Sequence, residues 1–136
     1  MDQGIITKEE YINATFAQHY RTVEEFCAPF NDNLSKVSKA GLKLLSCSTR
    51  LTKCPYRSTY EKNIRSMSKK DFADSLIPTT RSWSETVFRT ALSERDEKES
   101  NEIINSFYEN YRTEVETDPD DHAMDYIHII MEIEKI

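Results

Sequence analysis

Ile127, Ile129, Met131 and Ile133 alternate without interruption near the C-terminal end of the chain. Only an extended backbone places every second side chain on one face, so residues 124–134 are expected to form a half-buried strand. One other segment has this character. After Gly41, the residues Leu45, Cys47, Thr49 and Leu51 alternate within 42–51, and Cys54-Pro55 closes the run. About 70 residues of mostly helical pattern lie between the two strands. Two strands make no stable sheet by themselves. The chain must therefore cover a thin sheet with helices, or belong to a larger sheet.

Composition narrows the choice. The chain has 136 residues, a length suited to one domain. Leu, Ile, Val and Phe supply 29 of them, which is enough for a thin core only. Two glycines argue against a freestanding nucleotide-binding domain, where glycines let the backbone approach phosphate. No apolar run approaches the roughly 20 residues of a membrane span. Met1-Asp2-Gln3-Gly4-Ile5-Ile6 lacks the basic start and apolar stretch of a signal peptide. Three cysteines, an odd number, fit a reduced, intracellular, cytoplasmic chain.

The net charge of −6 hides a polarised distribution. Residues 35–70 carry ten basic residues against one acidic, a net +9, and residues 94–121 carry three against eleven, a net −8. A +9 stretch can bind nucleic acid or an anionic ligand. The overall acidity, and the lack of a stacking platform beyond Tyr56 and Tyr60, weigh against nucleic acid. Solvation, or proximity to the acidic stretch, accounts for the charge more simply.

Capping signals mark the helices. Thr7-Lys8-Glu9-Glu10 and Thr22-Val23-Glu24-Glu25 are capping boxes, in which the hydroxyl takes a free first-turn amide and the glutamate reaches back. The first predicts a helix over about 8–19. The second predicts a helix whose stripe is Phe26, Phe30, Leu34 and Val37, kinked or delayed by Pro29 and stopped at Gly41. Residues 56–67 read as a basic loop or short helix. Ser68-Lys69-Lys70-Asp71 opens a helix to about Ile77, closed by Pro78. Ser82-Trp83-Ser84-Glu85 reads as a further capping box, starting a helix with Trp83, Val87, Phe88, Ala91 and Leu92 on one face. A long acidic helix over 96–116 follows, broken by Asp118-Pro119-Asp120-Asp121.

Motifs for chemistry are sparse. Cys27, Cys47, Cys54, His19, His122 and His128 show neither Cys-x-x-Cys nor His-x-x-x-His spacing, so no metal site is expected. No Gly-x-Ser-x-Gly elbow is present, and no catalytic residue is assigned. His128 reads as a structural histidine and His122 as a local cap. Pro78-Thr79-Thr80-Arg81-Ser82-Trp83-Ser84 joins a cation, hydroxyls and an indole at an expected helix start, where anionic groups are favoured. Arg81 could grip a carboxylate and Trp83 wall a pocket; the simpler reading is that both find partners within the chain.

Four segments in order carry a resemblance: His19-Tyr20-Arg21-Thr22-Val23-Glu24-Glu25, Gly41-Leu42-Lys43-Leu44-Leu45, Thr79-Thr80-Arg81-Ser82-Trp83-Ser84, and Asp118-Pro119-Asp120-Asp121-His122-Ala123-Met124-Asp125-Tyr126. Together they resemble the C-terminal part of class I S-adenosylmethionine-dependent methyltransferases, within that group the small-molecule enzymes related to plant-type carboxyl methyltransferases. The resemblance implies a mostly helical α/β chain, the C-terminal portion of a Rossmann-like methyltransferase fold. Residues 1–54 would carry helices and the penultimate strand, 55–121 a helical cap, and 122–136 the final antiparallel strand. His19, Tyr20, Arg81 and Trp83 would bind a small-molecule acceptor once an N-terminal half completes the fold. S-adenosylmethionine would belong to that half, since no residue here is assigned to it, and the chain alone would be inactive. The competing expectation is a small α-helical intracellular protein-interaction module that docks a protein partner through its polarised charge. Neither reading involves a membrane.

Overall fold

The structure is a computed structural model that describes residues 4–16 and 18–136. Met1–Gln3, part of the leader argument above, and Ala17, inside the first expected helix, lie outside the described residues. The elements in chain order are α1 (Lys8–Asn13), α2 (Val23–Asn31), α3 (Lys36–Lys39), β1 (Leu42–Thr52), α4 (Pro55–Lys62), α5 (Lys69–Ala91), α6 (Glu97–Thr117), a 3-10 turn (Pro119–Asp121) and β2 (Tyr126–Lys135). The chain is mixed α/β and mostly helical, with one two-stranded antiparallel sheet. It divides into two compact units. One holds α1, α4, α5, α6 and the 3-10 turn; the other holds α2, α3, β1 and β2.

The helical unit is built on α5 packed against α6. Phe72, Ala73, Leu76 and Ile77 of α5, and Ile104, Tyr108 and Val115 of α6, are buried. Their spacings of three, four and seven are those of one helix face. Phe72 is fully buried and stacks on Tyr60 of α4 with ring centres 5.0 Å apart. One such side chain stabilises by about 2–3 kcal/mol. Tyr108 carries its hydroxyl into the interface, 2.6 Å from Ser84 Oγ. Ser84 has one proton and donates it to the Thr80 carbonyl, so Tyr108 is the donor to Ser84. Arg57 of α4 secures the 3-10 turn, donating to the Pro119 carbonyl and to Asp120 Oδ1. Arg57 thus pairs the basic stretch with the acidic one inside this unit.

Several expected helix limits are corrected. α1 ends at Asn13, not near residue 19, and Phe16 lies beyond it. α5 is one helix of 23 residues, and Pro78 is inside it rather than at its end. Proline removes one amide donor and crowds the preceding turn. The penalty is local, whereas the buried face runs from Phe72 to Ala91 on both sides of it. Ser82 consequently caps nothing; its hydroxyl donates to the Thr79 carbonyl within the helix. The stripe through Leu34 and Val37 is also interrupted. α2 stops at Asn31, Asp32 accepts from the Leu34 amide, and Ser35 starts the separate α3. Leu34 is left exposed.

In the sheet unit, β1 and β2 pair from Leu42 opposite Lys135 to Thr52 opposite Tyr126, with an irregularity between Leu44 and Ser46. Leu44, Cys47, Thr49 and Leu51 share a face with Ile133, Met131, Ile129 and Ile127. The other face is largely polar: Lys43 stands opposite Glu134, and Ser46 donates to Glu132 at 3.3 Å. α2 packs against β1. Asp125 accepts from the Cys54 amide at 2.8 Å and from Lys53 at 3.1 Å, joining the far ends of the strands. Gly41 has φ +72°, and a Cβ there would lie 2.6 Å from the Ile136 carbonyl oxygen. Burial in this unit is slight. Cys54 alone is fully covered among its described residues, and Ile127 is 75% exposed.

Two substitutions test these assignments. Pro78→Ala is expected to stabilise the protein by about 1–2 kcal/mol, because it restores a helix donor without touching the buried face. A urea titration followed by circular dichroism at the helical wavelength reads this. Gly41→Ala is expected to cost roughly 1–3 kcal/mol through left-handed strain and the backbone clash. A loss below about 0.5 kcal/mol would contradict the close approach of Gly41 and Ile136.

Candidate functional site

The helical unit contains a cavity of about 420 Å³. Its floor is Phe88 and Ala91 of α5, Leu92 at the cap of that helix, and Ile103, Ile104 and Phe107 of α6. α1 and its flanking residues form the remaining wall through Ile6, Glu10, Tyr11, Ala14, Thr15 and Phe16. The aromatic rings support one another edge to face. Phe16 stands 5.7 Å from Phe88, Phe88 4.9 Å from Phe107, and Phe107 5.1 Å from Tyr108. Such pairs add orientation to area, so the wall is stiff.

One ion pair ties α1 to the rest of the helical unit. The helix has six residues and none is buried. Its capping box is complete: Thr7 Oγ1 accepts from the Glu10 amide at 3.1 Å, and the Thr7 amide donates to Glu10 Oε2 at 2.6 Å. Glu10 serves a second partner as well. Arg95, between α5 and α6, forks onto both carboxylate oxygens, with Nη2 2.8 Å from Oε2. The same guanidinium donates to Glu99 and to the Ile5 carbonyl. Both side chains of the pair are largely shielded, 18% exposed for Arg95 and 13% for Glu10. The Arg95 hydrogen bonds, then the Thr7 amide, bring the Glu10 carboxyl down from 4.5 to about 2. A carboxylate so held is a poor base, and its partner cation is occupied. The cavity therefore supplies apolar surface and exclusion of water rather than acid–base chemistry.

The four residues singled out in the sequence fall into two pairs. Arg81 and Trp83 belong to the helical unit. Arg81 Nε donates to Glu85, Nη2 donates to Asn105 Oδ1 at 2.8 Å, and the guanidinium lies 4.9 Å from the Tyr108 ring centre. Trp83 is 47% exposed and meets Phe16 edge to face at 5.4 Å, behind the cavity wall. Both sit within α5, so the helix start expected between Pro78 and Ser84, and the anion preference attached to it, do not exist. His19 and Tyr20 belong to the sheet unit. They line an open groove with Arg21, Phe26, Thr49 and the Ile127–Ile129 segment. His19 Nε2 lies 3.4 Å from Glu25 Oε1, and the Tyr20 hydroxyl donates to Gln18 Oε1 at 2.8 Å.

The remaining candidates have local partners. His128 Nδ1 lies 2.9 Å from Thr52 Oγ1, and His122 meets the Tyr111 ring edge to face. The Cys27 thiol is pushed up by its hydrogen bond with Cys47 and by burial. Among the described residues no three His, Cys, Asp or Glu side chains converge to hold a metal ion. Among them, too, no helix is long and apolar enough to cross a membrane. Sequence reasoning missed Arg95, Glu10 as its partner, and the Phe88–Phe107 floor. One signal was available: Arg95 is one of only three cations in the acidic stretch. Set against models of protein families, curated proteins and solved structures, the chain matches none.

The lowered Glu10 pKa makes a pH prediction. A carboxylate with a depressed folded pKa stabilises fully above its unfolded value, and this is lost as pH falls through the folded one. The pair should hold the protein together above pH 4.5 and fail towards pH 2. Glu10→Gln is expected to melt several degrees lower than the parent well above pH 4.5. The gap should close as pH approaches about 2. Asp71, Asp74, Glu85 and Asp125 are also held below their ordinary range, but they are common to both proteins and cancel in the difference.

Proposed function

We propose that this chain is the C-terminal, substrate-capping region of an S-adenosylmethionine-dependent small-molecule methyltransferase. The observation that carries the reading is the antiparallel β1–β2 pair, whose strands bracket α4, α5, α6 and the 3-10 turn in sequence and leave much of their apolar surface uncovered. Leu45, Leu51, Ile130 and Ile133 are about half exposed, and Ile127 more so. A sheet of two strands with such faces and two open edges needs further strands. In the methyltransferases that the sequence resembles, these would be the last two of seven.

The described residues do not fit the cofactor itself. Gly41 stands between α3 and β1, and its open side is filled by the Ile136 carbonyl. Among the described residues, Gly4 leads only into the turn before α1. Neither offers the strand–turn–helix at which backbone amides meet a nucleotide, so no catalytic step is assigned to this chain. Its part in methyl transfer would be to hold the acceptor and keep water from the reacting oxygen, the two requirements that positioning can meet. Trp83 would contribute by supporting Phe16 at the cavity wall; His19 and Tyr20 would contribute from the groove of the sheet unit. The competing docking module draws on the polarised charge, part of which is neutralised internally by Arg57–Asp120.

Calorimetric titration of the chain with S-adenosylmethionine is expected to show no binding. The genomic sequence upstream of the Met1 codon is expected to encode, in frame, a glycine-rich strand–turn–helix. Tight cofactor binding by this chain alone, or an upstream region without that element, would overturn the reading.

A further inference from the structure

The cavity beneath α1 has features that select a ligand. Its lining is aliphatic and aromatic, and Ala14 and Ala91 open space where larger side chains would fill it. Among the described lining residues Glu10 is the one ionised group, and Arg95 with the Thr7 amide engages both of its oxygens. A bound cation would find no free carboxylate there, and a bound anion no free guanidinium. Burying an uncompensated charge in such surroundings is strongly unfavourable. The volume of about 420 Å³ lies within the range of small-molecule sites, roughly 300–1,000 Å³. Tyr11 and Phe107 are each about half exposed and leave a mouth to solvent. α1 contributes no buried residue of its own, yet stands across this space, latched by Glu10 and Arg95.

We infer that this cavity is a binding site for an uncharged, apolar small molecule, with α1 as its cover and the Glu10–Arg95 pair as the latch. The occupant supplies the apolar contacts that α1 lacks. The site belongs wholly to the helical unit. The methyltransferase reading uses the same wall through Trp83 and Phe16, but the inference rests on the cavity lining alone. Its probe test is separate from the cofactor titration that tests that reading.

The test uses the full chain and two fluorescent probes of similar body: uncharged N-phenyl-1-naphthylamine, and 8-anilinonaphthalene-1-sulfonate, which adds an anionic group. The uncharged probe is expected to bind saturably at one per chain. It should quench Trp83, the single tryptophan, by energy transfer, since Trp83 touches Phe16 at the cavity wall. The sulfonate is expected to bind at least about tenfold more weakly. Ala14→Phe, which fills the cavity from a half-buried position, should weaken the uncharged probe about tenfold with the helical melt retained. If that variant does not fold, Ile103→Phe serves the same purpose from the α6 side and leaves Trp83 the single tryptophan. Leu45→Lys, on the exposed sheet, should change nothing. Non-saturable binding, equal affinity for the two probes, indifference to the folded filling variant, or loss of binding in Leu45→Lys would each overturn the assignment.

Discussion

The antiparallel ladder between β1 and β2 is the constraint on which the rest depends. Its strands are separated by the whole stretch from Lys53 to Asp125, so the ladder closes a long loop before any of its hydrogen bonds can form. Closure entropy rises only with the logarithm of loop length, and a loop already folded into packed helices costs less still. The helical unit must therefore hold together on its own contacts. It does so through the α5–α6 interface, where Phe72, Leu76, Ile104 and Val115 are almost completely buried. Within the sheet unit, Asp125 takes the Cys54 amide and the Lys53 ammonium and so ties the ends of β1 and β2 together.

The two units differ in how their apolar surface is satisfied. In the helical unit, large side chains are buried and the polar groups among them are matched, as with Tyr108, Ser84 and the Thr80 carbonyl. In the sheet unit, the strands alternate correctly but α2 shields only part of them, and isoleucines face solvent. Apolar side chains make a core in one unit and an unfinished surface in the other. That contrast gives the proposed function its physical content, because an unfinished sheet implies something to finish it.

Much of the fold was legible in the residues. The period of two in 127–133, the capping boxes at Thr7 and Thr22 and the Ser68 helix start all appear where local chemistry places them. These signals act over a few residues and need no tertiary information. Pro78 misleads for the same reason: its penalty is local, and the continuous buried face of α5 overrides it. Thr79–Glu85 likewise has the letters of a helix start without the geometry. The cavity was not legible at all. It depends on Arg95 meeting Glu10 across 85 positions and on rings from α5, α6 and the segment after α1 converging. No spacing rule connects residues so far apart.

Glu10 is shared between two tasks. Its carboxylate closes the capping box of α1 and also receives the Arg95 fork. The bonds are not independent, because a carboxylate that turns from Arg95 also leaves the Thr7 amide. Unwinding of α1 and its release from Arg95 are therefore coupled. A six-residue helix too short to persist in isolation is thereby tied, through its own cap, to a guanidinium outside it.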